Sequence, residues 1–565
     1  MKKRVIFPFA AGAVAAAVVL VLGFYLGCPA LNVHNPGLWW LLDGGLLTFV
    51  LVSQLVKTSG DYRQHAYRQV SGKKKNSKKK KERAAAQLRF SGRSFLLPGV
   101  LTAVILLIFA VGGKLFNAAD YARILSVREA DFTEDLAESV GTDSIALMDT
   151  ASAKMLGDRE IGALSDVVSQ FDVSDDYTQI DRGGRPLKVA ALEYAGFFKW
   201  SNNKEEGVKG YVTVDPVSMS ASFHRSEGMK YVPSAFFSQD ARRYLRMKYP
   251  TRMMDNLHFE IDEEGRPFYV ASVLKKTVAL FGGKTVEGCV TLDPVTGETA
   301  LYGLADVPRW IDVVYHGDLI CEQYNWFGSL RNGFLNSLFA KKGCQRVTTY
   351  RAAEEEDSSD DKPVSDYGYV AKDGDIWIYT GVTSVNGDSS NIGFLLANER
   401  TGESRFYAVS GADENSAMTA AEGEVQEKGY QASFPSLINV GGAPTYIMVL
   451  KDSGGLVKLY AAVNVAQYNL VATAATQAEC IEKYKALPGL SQTVEPEEEQ
   501  TQTLTIADVK YIDIDGNTYV YLIGEDGQIY RAKAAEHEEL LLVDPRDTVT
   551  LTCAGKEILS ARLAE

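Results

Sequence analysis

Three side chains in this sequence have a type and a setting that chemistry could use. Cys553 ends the run Thr550-Leu551-Thr552-Cys553, and Arg562 follows it nine residues later. A thiol becomes a nucleophile when a neighbouring cation lowers its pKa, so this pair is a candidate catalytic site. Asp43 lies inside an apolar stretch, where an acid is a functional candidate by default.

The run around Cys553 resembles the Thr-Leu-x-Thr-Cys run of the sortase active site. A sortase also needs a histidine well upstream in a larger barrel. Here only His537 is near, and it lies 16 residues away. A cysteine buried in a strand is the alternative, and we favour it.

Other motifs of catalysis or metal binding are weak in this sequence. Gly282-Gly283-Lys284-Thr285 matches the end of a phosphate-binding loop, but Val278 stands where that pattern needs glycine. The six histidines and six cysteines form no HExxH or CxxC pattern. We therefore predict an ordinary turn at 282–285, no metal site and no cofactor.

Three apolar runs within residues 1–116 are long enough to cross a membrane, at about 5–27, 36–56 and 95–116. Asp43 lies in the second run and Lys114 near the end of the third. Either the two form a structural pair or Asp43 is shallow and hydrated, and we favour a non-functional role. Tyr25-Leu26-Gly27-Cys28 loosely resembles a lipoprotein processing site, which leaves lipidation of Cys28 open.

The charges divide sharply between the two parts of the chain. The first 116 residues contain 17 basic and three acidic residues, whereas the remainder has a net charge of −27. The loop 57–94 contains most of the basic residues, and positive charge favours the cytoplasmic side. We expect this loop and the N-terminus to be cytoplasmic and 117–565 to be extracytoplasmic. Contact with anionic headgroups is predicted for Lys73, Lys74, Lys75, Lys78, Lys79, Lys80 and Lys81.

Acidic stretches at 351–363 and 488–502 read as linkers or exposed loops, because the run 354–362 lacks apolar residues and Val494 is followed by Glu495-Pro496-Glu497-Glu498-Glu499. They divide the outer region into tandem modules at 117–350, a third α+β module at 364–487 and a last unit at 503–565. The last unit alternates apolar and polar residues between turns, which predicts a small all-β barrel, OB-like in type. The acidic balance argues against nucleic acid as a ligand.

A repeated pattern runs through the outer region. Helix candidates at 161–171 and 241–250 each precede two hairpins, and the second hairpins turn at Asp215-Pro216 and Asp293-Pro294. A third turn of this kind follows Asn398. The helix and the Asp-Pro-x-Thr-Gly-Glu turn resemble PepSY-like modules, which implies partner binding or inhibition.

The whole chain is similar to an uncharacterised family of multi-pass membrane proteins of Gram-positive bacteria. The similarity rests on Tyr379-Thr380-Gly381-Val382-Thr383-Ser384 and Ser390-Asn391-Ile392-Gly393-Phe394. Neither run is a catalytic signature, and the family implies no activity.

Together these features predict three transmembrane helices, a multi-module α+β extracytoplasmic region and a small C-terminal barrel. The leading hypothesis is a non-enzymatic, membrane-anchored envelope protein whose outer modules bind a protein or a cell-wall component. The alternative is a cell-surface enzyme, such as a wall hydrolase or transferase, with an unrecognised site.

Overall fold

The chain begins with three helices that are long and apolar enough to span a membrane. The computed structural model describes residues 2–71, 92–136, 147–162, 164–348, 368–385, 390–487, 490, 500–514, 517–525, 527–534, 537–554 and 556–563. The three helices are α1 (Lys2–Gly27), α2 (Pro36–Ser71) and α3 (Leu96–Val111). Their candidate spans are Phe7–Gly27, Pro36–Ser59 and Arg93–Val111. The protein is therefore a membrane protein with a large β-rich remainder.

Local sequence explains where these helices end. Cys28 adopts a left-handed φ of 45°, and Pro29 then prevents the helix from continuing. The third helix ends at Val111, five residues before the predicted end at 116. The chain breaks there at Gly112-Gly113, and the Asn117 side-chain amide donates to the Val111 carbonyl at 2.6 Å.

Small residues bring α1 and α2 into close contact. A Cβ on Gly12 would collide with Ser53 Oγ, and one on Gly45 would lie 2.8 Å from a methyl group of Leu20. Without a hydrophobic driving force in lipid, this close approach supplies the packing that holds two spans together.

Sheet I follows the membrane helices. The chain first forms α4 (Lys114–Ala122), β1 (Val127–Glu129), α5 (Phe132–Asp135), α6 (Thr150–Gly162) and α7 (Ser165–Val168). The sheet contains β2 (Phe171–Val173), β3 (Thr178–Asp181), β4 (Pro186–Tyr194), β5 (Val208–Asp215) and β6 (Ser220–Met229), with α8 (Phe197–Asn203) before β5. The continuous helix predicted at 161–171 is wrong in extent, because this range contains the end of α6 at Gly162, the short α7 and the start of β2 at Phe171.

Sheet II has the order β10-β9-β8-β7. It consists of β7 (Met253–Ile261), β8 (Pro267–Val278), β9 (Gly282–Leu292) and β10 (Thr299–Gly303), and α9 (Ala241–Lys248) precedes it. Helix α10 (Gly317–Leu330) then leads to the next sheet. A π-helical turn, Asn336–Ala340, lies shortly after α10.

Sheets III and IV contain the strands up to residue 474. Sheet III combines β1 with β11 (Gln345–Val347), β12 (Gly368–Lys372), β13 (Asp375–Ser384), β14 (Ser390–Asn398), β15 (Ser404–Tyr407) and β16 (Gly411–Ala412). Helix α11 (Glu414–Gly423) precedes sheet IV, and helix α12 (Gln477–Lys485) follows it. Sheet IV contains β17 (Gln431–Ala432), β18 (Ser436–Val440), β19 (Ala443–Lys451), β20 (Val457–Asn464) and β21 (Val471–Ala474). The range 364–487 thus supplies strands to two sheets, where one module was predicted.

Each of the four sheets contains a meander of four consecutive antiparallel strands preceded by a helix. In the first three sheets the last hairpin closes in the same way, because a side-chain oxygen accepts two backbone N–H groups. Asp215, Asp293 and Asn398 are the acceptors. In sheet IV, Asn464 accepts one such bond, from Gln467 N. Asn and Asp favour these turns because their side chains mimic a backbone acceptor.

Apolar cores join the sheets in pairs. Sheets I and II share one core, which includes Leu192, Val212, Phe259 and Leu292. Sheets III and IV share a second core that also receives α11. Helix α10 packs on sheet III through one face and contributes Leu319 to the core behind sheet II. It therefore joins the two sheet pairs.

Residues 488–565 form a second compact unit. Its strands are β22 (Gln500–Ile514), β23 (Asn517–Gly524), β24 (Ile529–Lys533), β25 (Thr548–Ala554) and β26 (Glu557–Leu563). They close into a barrel of order β22-β23-β24-β26-β25, in which the β24–β26 pair is parallel. Alternating side chains fill the interior, among them Val520, Leu522, Val549 and Leu551.

Candidate functional site

The thiol and the guanidinium nominated by the sequence lie on different sides of the barrel wall. Cys553 is 2% exposed and belongs to the barrel core, where burial raises the pKa of its thiol. Arg562 lies on the next strand opposite Thr550, and it is exposed whereas its neighbour Ala561 is buried. A buried thiol with a raised pKa is a poor nucleophile, so the two residues do not form a catalytic pair.

Asp43 joins two of the membrane helices. Its Oδ2 accepts a 2.7 Å hydrogen bond from the Thr102 hydroxyl on α3. Its Oδ1 is buried and has no hydrogen-bond partner among the described residues. The Lys114 ammonium instead lies 5.8 Å from the centre of the Trp326 ring. In this structure Asp43 therefore joins α2 to α3 through a hydrogen bond.

Two other sequence features have simple outcomes. Gly282 and Gly283 begin β9, and Lys284 forms an ion pair with Glu322 at 2.9 Å, so 282–285 belongs to a hairpin. The seven lysines at 73–75 and 78–81 and the acidic stretch 351–363 lie outside the described residues. Their predicted contacts stay predictions.

A buried carboxylate connects sheet II to the segment before α10. Glu260, in β7, is fully buried, and its oxygens accept N–H bonds from Asp312 at 2.9 Å and Val313 at 3.1 Å. The His258 ring contacts Glu260 Oε1 through Nε2 at 2.8 Å. This ring is itself held by the Asn256 carbonyl at Nδ1. Glu260 thus supplies acceptors for backbone groups that would otherwise be buried without partners.

Asp312 extends this connection to sheets I and III. Its Oδ2 accepts the Asp181 N–H at 2.7 Å, and its Oδ1 pairs with Arg400 at 2.7 Å. Arg400 also pairs with Asp375 at 2.7 Å. Burial and the neighbouring Glu260 raise the pKa of Asp312, and the Arg400 guanidinium opposes that rise. The contacts of Glu260, Asp312 and Arg400 therefore join sheets I, II and III. These three residues are called the Glu260 junction below.

A buried lysine lies close to this junction. Lys188, in β4, is 2% exposed, and its ammonium lies 3.4 Å from Thr150 Oγ1 and 5.0 Å from the centre of the Tyr369 ring. Burial lowers the pKa of Lys188 to about 8, although the charges of Asp149 and Glu399 oppose the shift. Burial and the charge of Glu260 raise the pKa of the Glu399 carboxyl well above its ordinary value. Both groups are disfavoured in their charged forms.

The β8–β9 hairpin connects sheet II to the membrane helices. At its tip, the Phe281 ring lies 6.3 Å from Trp39 and 5.0 Å from Phe109. The neighbouring Leu280 carbonyl contacts His34 Nδ1 at 2.9 Å. The tip therefore contacts α2, α3 and the α1–α2 loop together.

Two arginines of α9 bind the end of α1. Arg243 Nε donates to the Tyr25 carbonyl at 3.0 Å, and Arg246 Nε donates to the Cys28 carbonyl at 2.8 Å. Cations are favoured here because the last carbonyls of a helix have no partner within the helix and carry partial negative charge. The arginines and the β8–β9 tip together are called the membrane seat below.

A cavity of about 300 Å³ lies beside the membrane seat, between the end of α1 and sheet II. Cys28, Arg242, Arg246 and Asp255 are among its lining residues. The side chain of Arg246 is already engaged by the carbonyls of Cys28, Tyr249 and Arg252. Across the described residues, no group of three His, Cys, Asp or Glu side chains is placed to hold a metal ion.

The barrel presents a second polar surface. Lys510, Tyr521 and Arg531 lie side by side across β22, β23 and β24, and Ile512 is paired with Tyr519 in the next row. Lys510 and Arg531 are exposed, whereas the two tyrosines are half-buried. Tyrosine between basic side chains suits contact with a partner, because its ring is apolar and its hydroxyl is polar. These five residues are called the barrel face below.

Comparison with known proteins does not assign a family to this membrane protein. No family model and no curated protein matches the chain. A mutant levansucrase of B. megaterium is 10% identical with a TM-score of 0.18, covering 79% of this chain and 96% of that one. An ancestral GH74 enzyme is 10% identical with a TM-score of 0.14, covering 64% of this chain and 42% of that one. TM-scores this low carry no argument about fold or activity.

The sequence gives little warning of the membrane seat or of the Glu260 junction. Arg243 and Arg246 stand in a helix rich in basic residues, and no pattern distinguishes them from Arg242. Phe281 could have been noticed as an aromatic residue in a turn, where turn-forming residues are usual. Glu260 alternates with Asp262 along its strand and reads as a solvated hairpin acid.

Proposed function

We propose that the protein is a membrane-anchored, non-enzymatic scaffold of the cell envelope whose outer modules bind a protein or cell-wall partner. The observation that carries this proposal is the membrane seat. It fixes sheet II to all three spans, so sheets I–IV are held in one orientation instead of hanging from a flexible linker. A fixed support of this kind suits presentation of a binding surface.

The use of the charged side chains supports the same reading. Glu260, Asp312 and Arg400 contact backbone groups and one another, and they connect sheets. Cys553 and Arg562, the nominated catalytic pair, are separated by the barrel wall. The enzyme alternative has no comparable observation in its favour.

We further propose that the meanders are PepSY-like modules and that the barrel is OB-like. A helix before each four-stranded meander supports the first assignment. The barrel order, with its first strand beside the fourth and its third beside the fifth, supports the second. The barrel face is the surface we assign to the partner, because the strands of such barrels commonly bind extended ligands.

The direct test is photo-crosslinking in living cells followed by purification from membranes. A photoreactive amino acid would replace Tyr519 or Tyr521, and a matched control would replace Ser222 on the edge strand β6. We expect one protein or wall-glycan adduct that forms from the barrel face and not from position 222. Recovery of no specific adduct from either tyrosine position would contradict the proposal.

A further inference from the structure

Exposed aromatic side chains cluster next to the membrane seat. Phe198, at the start of α8, is 79% exposed, and Phe237 is 56% exposed. Phe197 lies between them, with ring centres 5.7 Å from Phe198 and 6.4 Å from Phe237. These three residues are called the aromatic patch below. Large apolar side chains exposed together require an explanation.

Arg243 fixes the position of this patch relative to the membrane. Its Nη1 donates to the Phe237 carbonyl at 2.6 Å, and its Nε donates to the Tyr25 carbonyl at 3.0 Å. Tyr25 belongs to the last turn of the first span, which ends at Gly27. The aromatic patch therefore lies beside the end of α1, where the apolar span meets the headgroup region.

A second exposed patch follows α10. Leu335, Leu338 and Phe339 are 64%, 55% and 76% exposed, and the last two belong to the π-helical turn. These three residues are called the helical patch below. Lys341 and Lys342 come immediately after it.

The direction of α10 places the helical patch near the bilayer. Leu319, at the start of α10, packs with Leu274 and Val286 of sheet II. Trp326, two turns later, packs with Val278, which precedes the hairpin tip in the membrane seat. The helix thus runs towards the bilayer, and Phe334, just before the helical patch, packs against the same cluster as Trp326 and Val278.

Each patch combines apolar side chains with lysines. Lys199 and Lys204 belong to the segment that contains Phe198, and the Lys204 ammonium lies 5.8 Å from the centre of the Trp200 ring. Aromatic residues with lysines alongside are typical of membrane–water interfaces, where the ring enters the acyl boundary and the ammonium reaches the headgroups.

We propose that the aromatic and helical patches insert into the leaflet that adjoins the outer modules, one on each side of the membrane seat. The occupant of both patches is lipid of the bilayer that the three helices cross. The chain would then hold its outer modules by the spans and by two surface contacts. These contacts would resist tilting of the modules relative to the membrane plane.

Spin labelling of the full-length protein in lipid nanodiscs tests this proposal. A nitroxide would be attached at Phe198→Cys or Phe339→Cys in a Cys28→Ser background, because the other five cysteines are buried. Collisions with oxygen report lipid, and collisions with a water-soluble nickel chelate report water. We expect the oxygen-to-nickel collision ratio at both positions to be several-fold higher than at the control.

Leu301→Cys is the matched control. Leu301 is also apolar and 41% exposed, but it lies in β10 opposite Val290. Val290 is eight residues along β9 from Gly282, or about 26 Å at ~3.3 Å per residue. A ratio at 198 or 339 equal to that at 301 would overturn insertion of that patch. Shielding from both reagents would also overturn it, because a second copy or another protein would then cover the patch.

Discussion

Single buried side chains join sheets I, II and III. Glu260 accepts bonds from Asp312 N and Val313 N and contacts His258, while Asp312 continues to Asp181 and Arg400. Removal of one member of such a set leaves the others buried without partners, which costs more than the net value of the bonds. The junction should therefore be sensitive to single substitutions.

We expect Glu260→Ala to lower the free energy of unfolding of the outer region by about 3 kcal/mol. The reason is that two backbone N–H groups lose a buried acceptor. Thermal unfolding of the purified protein in detergent measures the effect. Glu263→Ala is the matched control, because Glu263 is exposed in the turn next to β7. Its effect should stay within about 0.5 kcal/mol, and equal losses in both variants would contradict this role for Glu260.

Lys188 predicts a pH dependence of stability. Burial lowers the pKa of Lys188 to about 8 in the folded protein, whereas its ordinary value is 10.5. Between these two pH values Lys188 binds more protons in the unfolded chain than in the folded protein. Stability contributed by this group therefore rises as pH increases through this window and is lowest below it. We expect Lys188→Met to remove this rise, which amounts to roughly 3 kcal/mol at most.

Urea unfolding of the wild type and of Lys188→Met at pH 7.5 and pH 9.5 measures this difference. Lys451→Met provides the comparison, since Lys451 is 14% exposed at its side chain and is paired with Asp149 at 2.6 Å. Parallel pH profiles for the wild type and Lys188→Met would show that the buried ammonium does not control the dependence.

The hairpin turns could be predicted from local sequence patterns, whereas the contacts among Glu260, Asp312 and Arg400 could not. The turns at Asp215, Asp293 and Asn398 follow from Asx chemistry within four residues. Glu260 and Asp312 are 52 residues apart, and Asp312 and Arg400 are 88 apart. No local pattern encodes such partners, and so Glu260 reads as a solvated acid in the sequence.

At the scale of elements, the membrane seat depends on hydrogen bonds between α9 and the end of α1. The Tyr25 carbonyl in the last turn of α1 accepts bonds from the Cys28 thiol and from Arg243, and the Cys28 carbonyl just after α1 accepts one from Arg246. Arg246 also binds the carbonyls of Tyr249 and Arg252, so it joins α9, the next turn and α1.

We expect Arg246→Leu to loosen the membrane seat, because partly buried carbonyls lose charged hydrogen-bond donors worth roughly 1.5–3 kcal/mol. Hydrogen exchange followed by mass spectrometry should show faster exchange in 25–35 and 241–252. Arg242→Leu is the matched control, since Arg242 is an exposed neighbour on the same helix. Faster exchange in the control alone, or in neither variant, would contradict a role for Arg246 in the seat.

The ends of helices could be predicted where the length of an apolar run or a local helix pattern determines them. The first two spans follow from apolar length, and α9 begins at Ala241, as its pattern predicts. The third span ends at Val111 because the Asn117 side chain binds carbonyls across the Gly112-Gly113 break. That contact depends on folding, and the apolar run itself continues to Phe116. Composition therefore overestimates this helix.

At the scale of the whole molecule, contacts restrict the possible topologies to two. The α1–α2 loop, the start of α2 and the end of α3 all contact sheet II, through His34, Trp39 and Phe109. These ends therefore lie on one face of the helix bundle, together with sheet II. Either this face or the opposite face is cytoplasmic.

Charge makes that choice in our proposal. Lysine and arginine near short loops favour the cytoplasmic side, and the segment 57–94, whose first part belongs to α2, contains most of the basic residues of the first 116. Sheets I–IV would then be extracytoplasmic. They belong to the part of the chain after residue 116, which carries the net negative charge. In a Cys28→Ser background, we expect an impermeant thiol reagent to label Ser359→Cys in intact cells and to leave Ser77→Cys unlabelled until the cells are opened. Labelling of position 77 but not of position 359 in intact cells would reverse the topology and remove the envelope partner proposed for the barrel face.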